Sequence, residues 1–220
     1  LPSYKKKDLK NSLEEMIYRK MALSFNFFID RVLSEKTFYN FIKNIQKIPV
    51  SFTSCRLKNA LKNIPAVICG AGPSLENSKE FLKNSENRIL KIACGSAISY
   101  FSKWGIQPET AFALDPNSEE LDRFFHSDLQ EYPLFYSLRL YPDVFKTFNG
   151  TLGYLKGTAG TFSDWIEKEF QFPNDYSEED LHEESLSVVC TAIAVAKYLG
   201  CYPIFLSGID LSYIDNKRYP

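Results

Sequence analysis

Apolar residues along this chain follow two different periods, and the change falls near residue 64. Before it there is no glycine, and apolar positions recur at helical spacing: Leu13, Met16 and Ile17, then Phe27 and Phe28, then Phe38, Phe41, Ile42 and Ile45. Asn11 or Ser12 can cap the first helix, with Glu14 and Glu15 in its first turn. The spacing predicts two or three amphipathic helices over residues 1–64, the second long one ended by Pro49. The Phe-rich stripe reads as packing surface.

From Pro65 onward the apolar runs are short. Ala66–Cys69, Ile89–Cys94, Thr110–Leu114, Leu134–Leu138 and Ile204–Ser207 read as strands. Helix-like stretches lie between them at Leu75–Lys83, Ala97–Trp104, Glu119–Phe125, Phe162–Phe170 and Val188–Leu199. This alternation predicts an α/β fold. A Rossmann-like open, mostly parallel sheet over 65–220 carries helices on both faces and is preceded by the helical segment. Right-handed crossovers put the strand C-termini along one edge, where open sheets bind ligands. Residues 173–184 are polar and strongly acidic, and read as a solvated loop with metal binding as the alternative.

Composition narrows the function classes. With 220 residues, 45% hydrophobic, the chain has enough apolar material for a substantial core. A net charge of −1 gives no broad nucleic-acid footprint, although Lys5–Lys7 could form a local basic patch. No apolar run approaches the ~20 residues of a membrane span. Five cysteines, Cys55, Cys69, Cys94, Cys190 and Cys201, are odd in number and lack metal-ligand spacing. They suggest free thiols and a reducing, cytoplasmic setting. The first residue is Leu1, so the chain reads as part of a longer protein, continuing past Pro220.

The sharpest local feature is Gly70-Ala71-Gly72-Pro73-Ser74-Leu75, between an apolar strand and a helix. Glycines permit close backbone approach, Ser74 can cap the helix, and Pro73 suits its start. Helix-end amides favour an anion such as a phosphate. The alternative is a tight turn without ligand. Leu75 stands where a dinucleotide fingerprint needs its third glycine, and no Gly-Lys-Ser/Thr follows for a phosphate loop. Gly95-Ser96 marks a second strand-to-helix turn. Asp115 sits at a strand end before Pro116; it could hold a ribose hydroxyl or a cation, exchange a proton, or cap the next helix. Ser185 and Ser187 precede an Ala-rich helix that Gly200 can terminate, and Gly208-Ile209-Asp210 ends the last strand with another acid. Amides for phosphate beside carboxylates for hydroxyls or cation suit a nucleotide, with Asp115 and Asp210 as tentative catalytic or metal-binding groups. His126 and His182 read as surface residues, and Trp104 and Trp165 as packing.

These three blocks (Pro65–Leu75, Ala113–Pro116 and Ser185–Tyr219) resemble the motility accessory factor (Maf) family, and the domain is similar to the archaeal-type 6-hydroxymethylpterin diphosphokinase. They also look like Rossmann-like bacterial sialyltransferases, which draw on a CMP-activated sugar. That resemblance implies Gly70, Gly72, Pro73 and Ser74 at the nucleotide, Ser185 and Ser187 near its phosphate, and Asp210 near ribose or base. Ala71 departs from the sialyltransferase Asn, the glycine of their phosphate turn is replaced around Leu186–Val188, and their histidine after the Gly-Ile-Asp block has no counterpart before Pro220. The resemblance implies a nucleotide-dependent transferase with no permanently bound cofactor. The donor is a CMP-activated nonulosonic acid and the acceptor a protein or glycan. The alternatives are an ATP- and Mg²⁺-dependent diphosphokinase-like enzyme and a non-catalytic nucleotide-binding or interaction module.

Overall fold

A computed structural model describes residues 16, 35–53, 57–85, 88–125, 131–155, 165–166, 168–170, 187–213, 216 and 219–220. The chain divides into two compact units, Leu1–Tyr39 and Asn40–Pro220, and the second carries the sheet. His126, His182, Cys55, Ser185 and the acidic stretch 173–184 lie outside the described residues, as do most of the first 34.

Seven strands form one all-parallel sheet in the order β1-β6-β5-β4-β3-β2-β7. They are β1 (Phe52–Thr53), β2 (Ala66–Cys69), β3 (Leu90–Cys94), β4 (Thr110–Ala113), β5 (Leu134–Tyr136), β6 (Leu152–Tyr154) and β7 (Ile204–Ser207). The described helices are α1 (35–44), α2 (Lys79–Asn84), α3 (Ala97–Lys103), α4 (Glu119–Phe125), α5 (Val144–Thr147) and α6 (Val188–Tyr198). Cys69 stands opposite Ala93 on β3 and Ser207 on β7, which aligns the strand ends along a single edge.

Period-2 alternation divides the core between the two faces. Val67, Cys69, Ala93, Ala111 and Ala113 face Leu82 of α2, Ile98 and Phe101 of α3, and Phe124 of α4. Ala66, Ile68, Ile92, Cys94 and Phe112 face Ala192, Val195 and Ala196 of α6. The alanines of α6 bring its backbone close to the sheet. Gly200 ends it as expected, with Cys201 N–H on Ala196 O at 3.0 Å and Gly200 N–H on Lys197 O at 2.9 Å.

Three details differ from the sequence expectation. The α-helix stops at residue 44, and Pro49 lies inside a 3₁₀ segment, Ile45–Val50, rather than ending the helix itself; short 3₁₀ turns of this kind are frequent at the C-termini of α-helices. Residues 52–53 pair with β6, so the stretch before residue 65 contributes an edge strand as well as helix. Two short elements, β6 and α5, carried no readable period.

Candidate functional site

Chain order reverses direction in the sheet between β2 and β7, with β3 on one side of β2 and β7 on the other. Open α/β sheets offer a crevice at such a point. Here two turns fill it. Gly70 N–H donates to Ser207 O and Gly72 N–H to Gly208 O, both at 2.8 Å. Asp210 accepts from Ser74 N–H at 2.9 Å through Oδ2, and from the Ser74 hydroxyl through Oδ1. The exit of β7 is therefore stitched to the exit of β2, donor by donor.

Backbone proximity explains the glycines. A methyl group on Gly72 would come 2.4 Å from Asp210 Oδ2, and one on Gly208 would come 2.3 Å from Gly70 O. Gly208 also has φ +65°, which side chains rarely adopt. Pro73 opens a 3₁₀ turn, Pro73–Ser78, with Gly72 in the N-cap position. Ser74 thus does not cap the helix, as the sequence suggested. Asp210 supplies that cap from 136 residues away. Leu75 is fully buried and Ala71 packs against the core.

The remaining predicted residues that the structure describes share the same edge. Gly95 turns β3 into α3 at φ +52°, its N–H on Phe112 O at 2.9 Å, and Ser96 is the N-cap of α3. Ser187 is the N-cap of α6. The C-terminal end of α6 bonds residues 59 and 61, just before β2, so its N-terminus points toward the C-terminal edge of the sheet. Asp115 follows β4, and its Oδ1 accepts from Asn117 N–H at 3.0 Å and Asn117 Nδ2 at 2.9 Å, forming a local turn ahead of α4. β4 and β7 stand three places apart, so at ~4.8 Å per strand Asp115 and Asp210 are on the order of 14 Å apart along the edge. They line one rim and do not share one ion. Among the described residues no three His, Cys, Asp or Glu side chains gather as a metal site.

Sequence reasoning missed two asparagines and an arginine here. Asn40 and Asn44, each 1% exposed, donate to four backbone carbonyls. Asn40 Nδ2 reaches Pro116 O at 3.0 Å and Arg139 O at 2.9 Å; Asn44 Nδ2 reaches Leu138 O at 2.9 Å and Leu140 O at 2.6 Å. They clamp together the loops that follow β4 and β5. Arg139 is half-buried in the second loop, and its Nε is enclosed without a hydrogen-bond partner. The signal for it was a lone Arg between Leu138 and Leu140, at the end of an apolar strand.

The Cys69 and Cys94 thiols are enclosed by the fold. Burial pushes the Cys69 thiol up to about 12, against a smaller downward pull from Lys91, and pushes Cys94 well above its usual range; neither is a nucleophile at neutral pH. A cavity of about 450 Å³ opens at the opposite, N-terminal edge of the sheet. It is lined in part by Lys91 and Glu109, which pair at 3.1 Å. No described helix is long and apolar enough to cross a membrane.

Comparison with known proteins agrees with this architecture. The family model described as 6-hydroxymethylpterin diphosphokinase MptE-like matches residues 39–216. The solved structure of a Maf glycosyltransferase from Magnetospirillum magneticum AMB-1 superposes with a TM-score of 0.56 at 22% identity, over 74% of this chain and 26% of that one. This chain thus corresponds to about a quarter of that protein, and the likeness is one of fold. No curated protein matches.

Proposed function

The chain belongs to the 6-hydroxymethylpterin diphosphokinase MptE-like family, and from that premise we propose that it is a nucleotide-dependent transferase whose substrate lies along the C-terminal edge of the sheet. The donor in this reading is a CMP-activated nonulosonic acid, and the acceptor is a hydroxyl on a protein or glycan. The observation that carries the reading is the rim itself: four strand exits with acid or small residues, and two helix N-termini, on an all-parallel sheet similar in fold to a Maf glycosyltransferase.

The chemistry asks for few protein groups. The bond between the sugar's anomeric carbon and a phosphate oxygen breaks, and CMP leaves with the electron pair. The acceptor oxygen forms the new bond and gives its proton to a base. Stabilising the departing phosphate is the main demand, and preorganised amides meet it. The Ser74 amide is already engaged by Asp210. The reading therefore assigns the phosphate to the first-turn amides of α3 and α6, at Ser96 and Ser187, and the sugar or ribose hydroxyls to Asp115.

The family description favours a second reading, transfer of diphosphate from ATP to a pterin alcohol, which needs Mg²⁺ beside carboxylates such as Asp115. Thermal shift with CMP, CDP, ATP and GTP, each with and without Mg²⁺, separates the two. At a hundredfold excess over Kd a ligand stabilises by about 2.7 kcal/mol. A metal-independent shift with CMP supports glycosyl transfer, whereas a shift with ATP that requires Mg²⁺ supports the diphosphokinase. No shift with any nucleotide refutes both and leaves a non-catalytic module.

A further inference from the structure

Most charged side chains that the fold encloses have a partner inside it. Asp210 is held by Ser74, Lys91 by Glu109 and Asp115 by Asn117. Arg139 differs. Its Nε is shut away from solvent without an acceptor, and no carboxylate among the described residues pairs with its guanidinium. Leaving an enclosed charged donor unsatisfied is costly, so such a group marks a place where an acceptor belongs.

The surroundings show that this arginine is positioned. Leu138 and Leu140, on either side, are fully buried. The Arg139 carbonyl is fixed by Asn40 at 2.9 Å, and the same Asn40 nitrogen holds Pro116 O at 3.0 Å in the adjacent loop. Tyr141 N–H ties this loop to Asp115 O at 3.1 Å. Arg139 thus stands on a braced backbone at the exit of β5, next to Asp115 at the exit of β4.

We infer that Arg139 is an anion-binding residue of this edge, receiving an oxyanion of the substrate on its planar fork of donors. The inference deepens the proposed function, on which it rests for the identity of the ligand. A nucleotide sugar of the proposed kind has two oxyanions, the phosphate and the sugar carboxylate, and both match a guanidinium.

The test titrates the full chain, as wild type, Arg139→Gln and Arg139→Lys, with cytidine, CMP, N-acetylneuraminic acid and inorganic pyrophosphate, by calorimetry. The expected result is that at least one anionic probe binds the wild type and binds Arg139→Gln about tenfold or more weakly. Arg139→Lys should recover part of the loss, and any cytidine binding should not change. A loss confined to CMP and pyrophosphate identifies phosphate as the bound group, and a loss confined to the sugar acid identifies the carboxylate. Equal anion binding by wild type and Arg139→Gln overturns the inference, as does a wild type that binds none of the three anions. If CMP binds both chains equally, Arg139 is not the anion receptor but the nucleotide reading stands. If pyrophosphate or the sugar acid binds through Arg139 and no nucleotide binds, the nucleotide reading falls and Arg139 stands. Ligand-free melting curves check folding. Should the Gln variant fail to fold, the Lys variant decides by the same comparison, since it keeps the charge and loses the fork.

Discussion

At the scale of single residues, the decisive contact is a carboxylate laid on a glycine. Asp210 Oδ2 lies so close to Gly72 that any side chain there would have to displace it. Gly72→Ala should therefore destabilise by about 1–3 kcal/mol, as overpacked positions do; for a unit of this size that is a fall in Tm of roughly 3–10 °C. An unchanged Tm would mean that the two turns separate without cost. The Ser74–Asp210 bonds make a second, independent test. A double-mutant cycle of Ser74→Ala and Asp210→Ala should show a coupling energy of about 1 kcal/mol, because each variant alone removes the same hydroxyl–carboxylate contact. Additive effects would show that the contact contributes nothing. The motif at residues 70–75 was legible as a strand-to-helix turn with close backbone approach. What approaches it was not legible: the cap comes from a residue 136 positions later, and local patterns carry no information about such a partner.

At the scale of elements, strands long enough to show an apolar run were legible from the chain, and their ends were less so. Ala66–Cys69 and Ile204–Ser207 stand as read, while β5 stops at Tyr136, two residues short of the apolar run. The reason is at Ser137–Leu140, where the chain leaves the sheet yet stays buried, its carbonyls taken by Asn40 and Asn44 instead of a neighbouring strand. Hydrophobicity followed burial there, not sheet pairing. β1 and β6 were invisible for a different reason. Each has two or three residues, and Gly153 of β6 leaves the space that the Phe52 and Phe135 rings occupy, so the packing partner is supplied by other strands. The asparagine clamp leads to a prediction. Asn44→Ala strands two buried carbonyls, which should cost about 2–6 kcal/mol at 1–3 kcal/mol for each unsatisfied group. Hydrogen exchange should speed up first at residues 137–141, with the β2–β3 amides protected as before. A uniform rise across the sheet would show that the clamp serves global stability and not these two loops.

At the scale of the whole molecule, the core of the sheet contains weak acids kept neutral by burial, and this sets how stability responds to alkali. Burial raises Cys69 from about 9 to about 12, and Tyr132 and Tyr136 from about 10 to about 12, with the Ser51 hydrogen bond only partly offsetting the shift at Tyr136. Cys94 is raised in the same direction by the same cause. Below about pH 9 all four groups are protonated in both the folded and the unfolded chain, so their contribution is fully present and flat with pH. Above that, the unfolded chain releases these protons while the folded chain retains them. The folded state then binds more protons, and the free energy of unfolding must fall with pH. The groups lie on several strands, Cys69 on β2, Cys94 on β3 and Tyr136 on β5, so the loss acts on the sheet as a unit and not on one loop. Urea titrations at pH 8, 9.5 and 10.5 should show the midpoint moving down at each step with an unchanged slope, since the surface exposed on unfolding is the same. A midpoint that stays level to pH 10.5 would mean that these thiols and phenols reach water in the folded protein, which their place between the sheet and its helices forbids.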